Sequence, residues 1–242
     1  MPELFGWQHL TYNAVVVILM AVGLVIIKKR IRTEKALAVT VKITAAALLA
    51  CVVWNRLSVC IMRDGFAQVL PGSFCSMSSF TFAISALFCK KDSKVFHFVL
   101  YLGLVGGIAT LVYPDFIGQA SYFMYPMTIS GMVHHTIMVF LALLMLMTGY
   151  IKPTIKKWYC LPVGTSLFIT YGLILIKAFG YGDAMSINEP LVEGTPLTFY
   201  VAGVIFLTVH ALFLIVWELM QKKVASNSNR LTRSEIKEKR VS

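Results

Sequence analysis

The feature that most constrains this chain is a series of seven long apolar runs, at about 10–27, 36–60, 68–89, 95–112, 127–150, 158–180 and 197–220. Each approaches the roughly 20 residues that a helix needs to cross the hydrocarbon of a bilayer. Lipid offers no partners to backbone N–H and C=O groups, so such runs are expected to be helices, and the period-two alternation of a membrane barrel is absent. Composition agrees. Of 242 residues, 58% are hydrophobic and 14% charged, with a mean hydropathy of +0.76, whereas a soluble domain carries about 25% charged residues. The expected fold is all-α, a polytopic bundle of seven transmembrane helices over residues 1–220, followed by a flexible basic tail at 221–242. The first run has Glu3 before it and "KKRIR" after it. That is the reverse of a secretory signal, so it reads as a retained helix.

Lysine and arginine set the expected orientation. "KKRIRTEK" follows the first run, "KKDSK" the third, "KPTIKK" the fifth, and "QKK" with a basic tail the seventh. The loops "PDFIGQASYFMYP" and "YGDAMSINEPLVEGTP" contain neither residue, and Arg63 is the one mild exception. The N-terminus is therefore expected outside and the C-terminus in the cytoplasm of a multi-pass protein of the cell membrane. The net charge of +11 then reflects basic loops facing anionic headgroups, not a nucleic-acid partner. Neither GxxxxGK[ST] nor GxGxxG occurs, and no cofactor is expected. The five cysteines, at 51, 60, 75, 89 and 160, form no CxxC pair. Cys89 and Cys160 fall near the cytoplasmic boundary, where palmitoylation is possible. The sequence does not specify an oligomeric state.

Ionisable groups inside a membrane are costly and point to function. If the third run enters from outside near Gln68, Cys75 lies about 10 Å below the outer boundary. The fifth run enters from the same side and places His134 and His135 about 10–13 Å deep. Arg56, in "WNR", lies about 6 Å below that surface, and Asp115 ends the fourth run in "YPD". His97 and His210 belong to the inner half. Gly72, Cys75, Ser79, Ala83 and Ala86 recur at helical spacing as a small-residue stripe, which suits close helix packing as well as a site. On the fifth run the small polar face favours His135 as the inward group. Adjacent histidines on one helix seldom share an ion, so no metal is expected. A thiol beside an imidazole is the minimum for a thioester intermediate, and backbone N–H groups at "LPGS" could hold the oxyanion.

"LPGSFCSMSSFTFAISALFCKKDSKVFHFVLYLGLVGGIATLVYPDF" and "YPMTISGMVHHTIMVFLALLMLMTGYIKP" resemble the YwaF-type integral membrane proteins, bacterial relatives of the transmembrane protein 164 acyltransferases. The resemblance rests on a Leu-Pro before Cys-Ser, a short basic turn, a Gly-rich fourth helix ending in Pro-Asp, a histidine early in the fifth and a closing Lys-Pro. It covers residues 65–155 well and the last two helices loosely. It implies a seven-helix enzyme that moves fatty acyl chains between phospholipids through a cysteine. That cysteine falls on Cys75, its histidine on His135 with His134 as the alternative, and its Pro-Asp on Pro114 and Asp115. The chain departs from the pattern at Ser73, where relatives tend to have a histidine or similar polar residue, and at Asp183, where they often have asparagine. Arg56, Ser79, Asp115 and Asp183 are the candidate substrate-binding residues, with membrane lipids as substrate. Two alternatives accompany this reading. One is a hydrolase with the same Cys-His pair. The other is a transporter or receptor-like protein that holds a ligand in the same outer pocket without chemistry.

Overall fold

The computed structural model describes residues 5–64, 69–113 and 122–241. Among these the chain is all-helical, in seven main helices: α1 (Trp7–Arg30), α2 (Glu34–Val59), α3 (Phe74–Phe88), α4 (Phe96–Val112), α5 (Pro126–Met147), α6 (Cys160–Phe179) and α7 (Phe199–Val241). They follow the seven apolar runs. Five are long and apolar enough to cross a membrane, while α3 and α4 are shorter apolar helices. A π-helical turn, Cys60–Asp64, extends α2, and a 3-10 turn, Ile155–Lys157, precedes α6.

Side-chain contacts fix an up-and-down order. Lys91 binds Glu34 at 2.7 Å, Lys157 binds Asp92, and Glu218 accepts the Ile155 N–H at 3.0 Å. The α1–α2, α3–α4 and α5–α6 connections and the middle of α7 therefore share one end, which carries the lysine-rich loops. At the other end Arg56 Nε donates to Val69 O at 3.4 Å, and the Met185 N–H donates to Gly72 O at 2.7 Å.

Four helices make the centre. α2 and α4 each pack on both α3 and α5, so α3 and α5 face each other diagonally; α1 lies on α5 and α6 on α4. The core runs through Leu48, Val52, Phe82, Ala83, Leu100, Met138, Leu141 and Met145. The peripheral helices carry exposed apolar side chains, such as Ile18 on α1, Leu167 on α6 and Val204 on α7. Such a surface would be an anomaly in water and is the solvated surface in lipid. Glycines permit the tightest crossing: a Cβ on Gly164 would fall within 2.4 Å of the Phe98 ring, so α4 and α6 meet there at backbone distance.

Candidate functional site

The third apolar run becomes helical only at Phe74, a correction to the helix expected from Gln68. Pro71 disfavours the helical region for Leu70. Ser73 then caps the helix: its Oγ accepts the Ser76 N–H at 3.2 Å, and the Ser76 hydroxyl lies 3.3 Å from the Ser73 N–H, which completes a capping box. Cys75 is thus the second residue of α3. Its thiol lies at the N-terminal end of α3, against Gly106 and Thr110 of α4. The Ser76 and Met77 N–H groups are taken by Ser73. Those of Phe74 and Cys75 have no partner among the described residues. The segment before the cap is covered by the α6–α7 connection. Tyr181 Oη donates to Leu70 O at 3.1 Å, and Met185, with no exposed surface, lies beside Gly172.

His134 and His135 are each 3% exposed, and their rings lie 3.9 Å apart, centroid to centroid. His134 Nδ1–H donates to Ser130 O at 3.0 Å and His135 Nδ1–H to Gly131 O at 2.7 Å. A carbonyl oxygen only accepts, so these bonds fix the proton on Nδ1 in both neutral rings and leave the lone pair on Nε2. Both Nε2 atoms are buried and without a hydrogen-bond partner among the described residues. His134 belongs to the α2 side. Asn55 Nδ2 donates to Ser130 Oγ at 3.0 Å, one turn before His134.

α4 sets the register between Cys75 and the backbone of His135. A Cβ on Gly106 would lie 3.1 Å from Cys75 Sγ, and one on Gly107 would lie 3.4 Å from His135 O. Consecutive glycines of one helix thus touch the two candidates, about 1.5 Å apart along its axis. A second contact agrees: Ser79 Oγ, one turn inward of Cys75, lies 3.0 Å from Met138 Sδ, one turn inward of His135. The hydrogen-bond neighbour of Cys75 Sγ is Thr110 Oγ1 at 4.0 Å, not an imidazole.

The other sequence candidates are distributed around this group. Ser79 is fully buried, and its Oγ donates to Cys75 O at 2.7 Å. Half-buried Arg56 holds Val69, at the start of the covered segment. Asp183 Oδ1 accepts the Asn188 N–H at 2.8 Å and shapes the α6–α7 connection. Asp115 and Pro114 lie outside the described residues. Among the described residues, no three His, Cys, Asp or Glu side chains gather as a metal site. Sequence reasoning passed over Asn55 and Thr110. In "WNR" it is Asn55, 8% exposed, that turns inward, while Trp54 is exposed. An asparagine deep in an apolar run was the available signal.

A family model described as the TMEM164 family matches residues 4–221. No curated protein and no solved structure matches the chain.

Proposed function

From the premise that this chain belongs to the TMEM164 family of membrane proteins, we propose that it is a thiol-dependent lipid acyltransferase that moves a fatty acyl chain between phospholipids through a thioester on Cys75. The observation that carries the reading is His135. It is a buried imidazole whose proton is fixed on Nδ1 and whose Nε2 is unpartnered, and its backbone carbonyl meets Gly107, the residue after the glycine that meets the thiol.

In this mechanism Nε2 of His135 takes the thiol proton as Sγ attacks the ester carbonyl of a donor phospholipid. The unpartnered Phe74 and Cys75 N–H groups face the developing oxyanion. The bond from carbonyl carbon to glycerol oxygen breaks, and the imidazolium returns its proton to that oxygen, releasing a lysophospholipid. An acceptor lysophospholipid then reverses the steps. Its hydroxyl proton goes to Nε2, its oxygen attacks the thioester, the C–S bond breaks and the thiol is restored. With water as acceptor the same steps are hydrolysis. His134 positions its neighbour through ring contact. Arg56 suits a phosphate headgroup at the mouth, with Asp183 contributing from the α6–α7 connection; Asp115 remains a substrate-binding candidate by sequence alone. The positive-inside pattern assigns this end of the bundle to the outer face.

The test is direct. Purified protein is incubated with phospholipid carrying a labelled acyl chain, and Cys75 is examined by mass spectrometry. Wild type is expected to show an acyl adduct discharged by lysophospholipid, while Cys75→Ala loses adduct and transfer together, by about 10³-fold or more. Absence of an adduct in wild type, with turnover intact in Cys75→Ala, would refute the mechanism.

A further inference from the structure

The opposite end of the bundle holds a cavity of about 330 Å³ between the start of α2 and the α3–α4 connection. Its walls include Leu37, Ala38 and Phe88, and its polar groups come from Glu34, Lys42, Lys90, Lys91 and Tyr150. Lys42 is the unusual member. It lies eight residues beyond Glu34, about 12 Å into an apolar helix, where a lysine is costly unless its ammonium reaches back to a polar surface. Here it lines the cavity together with the loop lysines.

Charge within the cavity is unbalanced. Glu34 is its one acid and is paired with Lys91 at 2.7 Å. Nearby Asp92 is engaged by Lys157 and His97. Lys42 and Lys90 have no acidic partner among the described residues. Tyr150, 4% exposed overall, also lines the cavity and adds a phenol. Two ammonium groups and a phenol therefore offer donors to something with several acceptor oxygens and negative charge. The apolar walls, with Phe88 81% exposed at the lipid-facing rim, suit a ligand whose next atoms are hydrocarbon.

We propose that this cavity binds the phosphate of an anionic phospholipid, with Lys42, Lys90 and Tyr150 as phosphate donors and the acyl chains lying along Phe88 and Leu37. The site is at the opposite end of the bundle from Cys75, and the proposal does not depend on chemistry there.

The probe is dioleoyl phosphatidylglycerol, titrated into the detergent-solubilised full chain and read by native mass spectrometry against dioleoyl phosphatidylcholine. Wild type is expected to retain the anionic lipid at least tenfold more tightly. Lys42→Gln/Lys90→Gln lowers its affinity about 30-fold, the product of two cationic contacts near an anionic surface. Lys28→Gln/Lys29→Gln, at the same end but outside the cavity, leaves it unchanged. Glu34→Gln strengthens binding, a gain that misfolding cannot mimic. Equal retention of the two lipids, an equal loss in the Lys28/Lys29 pair, or displacement of the lipid by millimolar inorganic phosphate would each overturn the proposal.

Discussion

At the lysine-rich end, Asp92 takes hydrogen bonds from Lys157 Nζ, from the Lys152 N–H at 3.1 Å and from His97 Nε2–H at 2.8 Å. At the thiol end, His134 and His135 are as deeply buried as His97, yet each keeps an unpartnered Nε2. A buried polar atom left without a partner costs about 1–3 kcal/mol. The first arrangement avoids that cost and clamps the α3–α4 and α5–α6 connections to the start of α4. The second tolerates it twice on adjacent residues of α5. The first is a satisfied network; the second leaves two acceptors open, as do Tyr101 Oη and His210 Nε2 between α4 and α7, and the proposed mechanism assigns a role to one of the two.

The sharpest way to break this contrast is to remove the imidazoles singly. His135→Ala is expected to slow Cys75 acylation by about 10²–10³-fold, the range for loss of a general base. The residual rate should rise with pH, because the thiol must then ionise unaided, whereas the wild-type rate is flat over the same range. His134→Ala, on the α2 side with Asn55 and Ser130, should cost about tenfold and keep the wild-type pH profile. Equal losses with unchanged pH profiles in both variants would mean that neither histidine is the base.

Glycine substitutions sharpen the same contrast between site and scaffold. Gly106→Ala places a methyl 3.1 Å from Cys75 Sγ. A thiol can rotate away, so thermal stability should barely change, while misplacement of the nucleophile slows acylation by about tenfold. Gly164→Ala drives a methyl into the Phe98 ring, which is packed edge-on against Phe168 at 4.7 Å. Overpacking of this kind costs about 2 kcal/mol. It should lower the melting temperature in detergent and leave acylation per folded molecule unchanged. A reversal of these two phenotypes would move the reactive thiol away from Gly106.

The glycines also show how far the sequence could be read. Seven helices were legible because lipid leaves apolar runs no other fold. Which connections share an end was legible because loop lysines alternate. The α3 start was not: Val69 and Leu70 continue the apolar pattern, and only the Pro71–Ser73 cap chemistry reveals that the helix begins later. Counting residues from the membrane edge puts Cys75 and His135 at a matched level as an expectation. In the structure α3 starts about six residues later than that count assumed, and a folded segment occupies the space above it. Gly106 and Gly107 could not be assigned roles in advance, since a glycine in a membrane helix signals close packing without naming the partner. The Asp92–His97–Lys157 cluster joins residues up to 65 apart, a separation at which local pattern carries no information.

That cluster supplies the smallest expected effect and the last point of contrast. Asp92 has φ +55, a left-handed conformation that asparagine tolerates equally well, so Asp92→Asn tests charge without disturbing the backbone. Burial pushes the Asp92 carboxyl up, but the hydrogen bonds from Lys157, the Lys152 N–H and His97 outweigh it and hold the group below the ordinary carboxylate range. The unfolded chain therefore takes up the proton first as pH falls. The stabilisation is complete above about pH 5 and is lost as pH drops below the ordinary aspartate value near 3.9 and through the lower folded value. With its side chain 37% exposed, solvent screening limits the contribution to about 1 kcal/mol. Asp92→Asn should lower the neutral-pH melting temperature by a few degrees and flatten its fall in acid, while Cys75 acylation is unchanged. A large loss of acylation in this variant would show that the two ends of the bundle are coupled and that the division between clamp and site drawn from their hydrogen bonding does not hold.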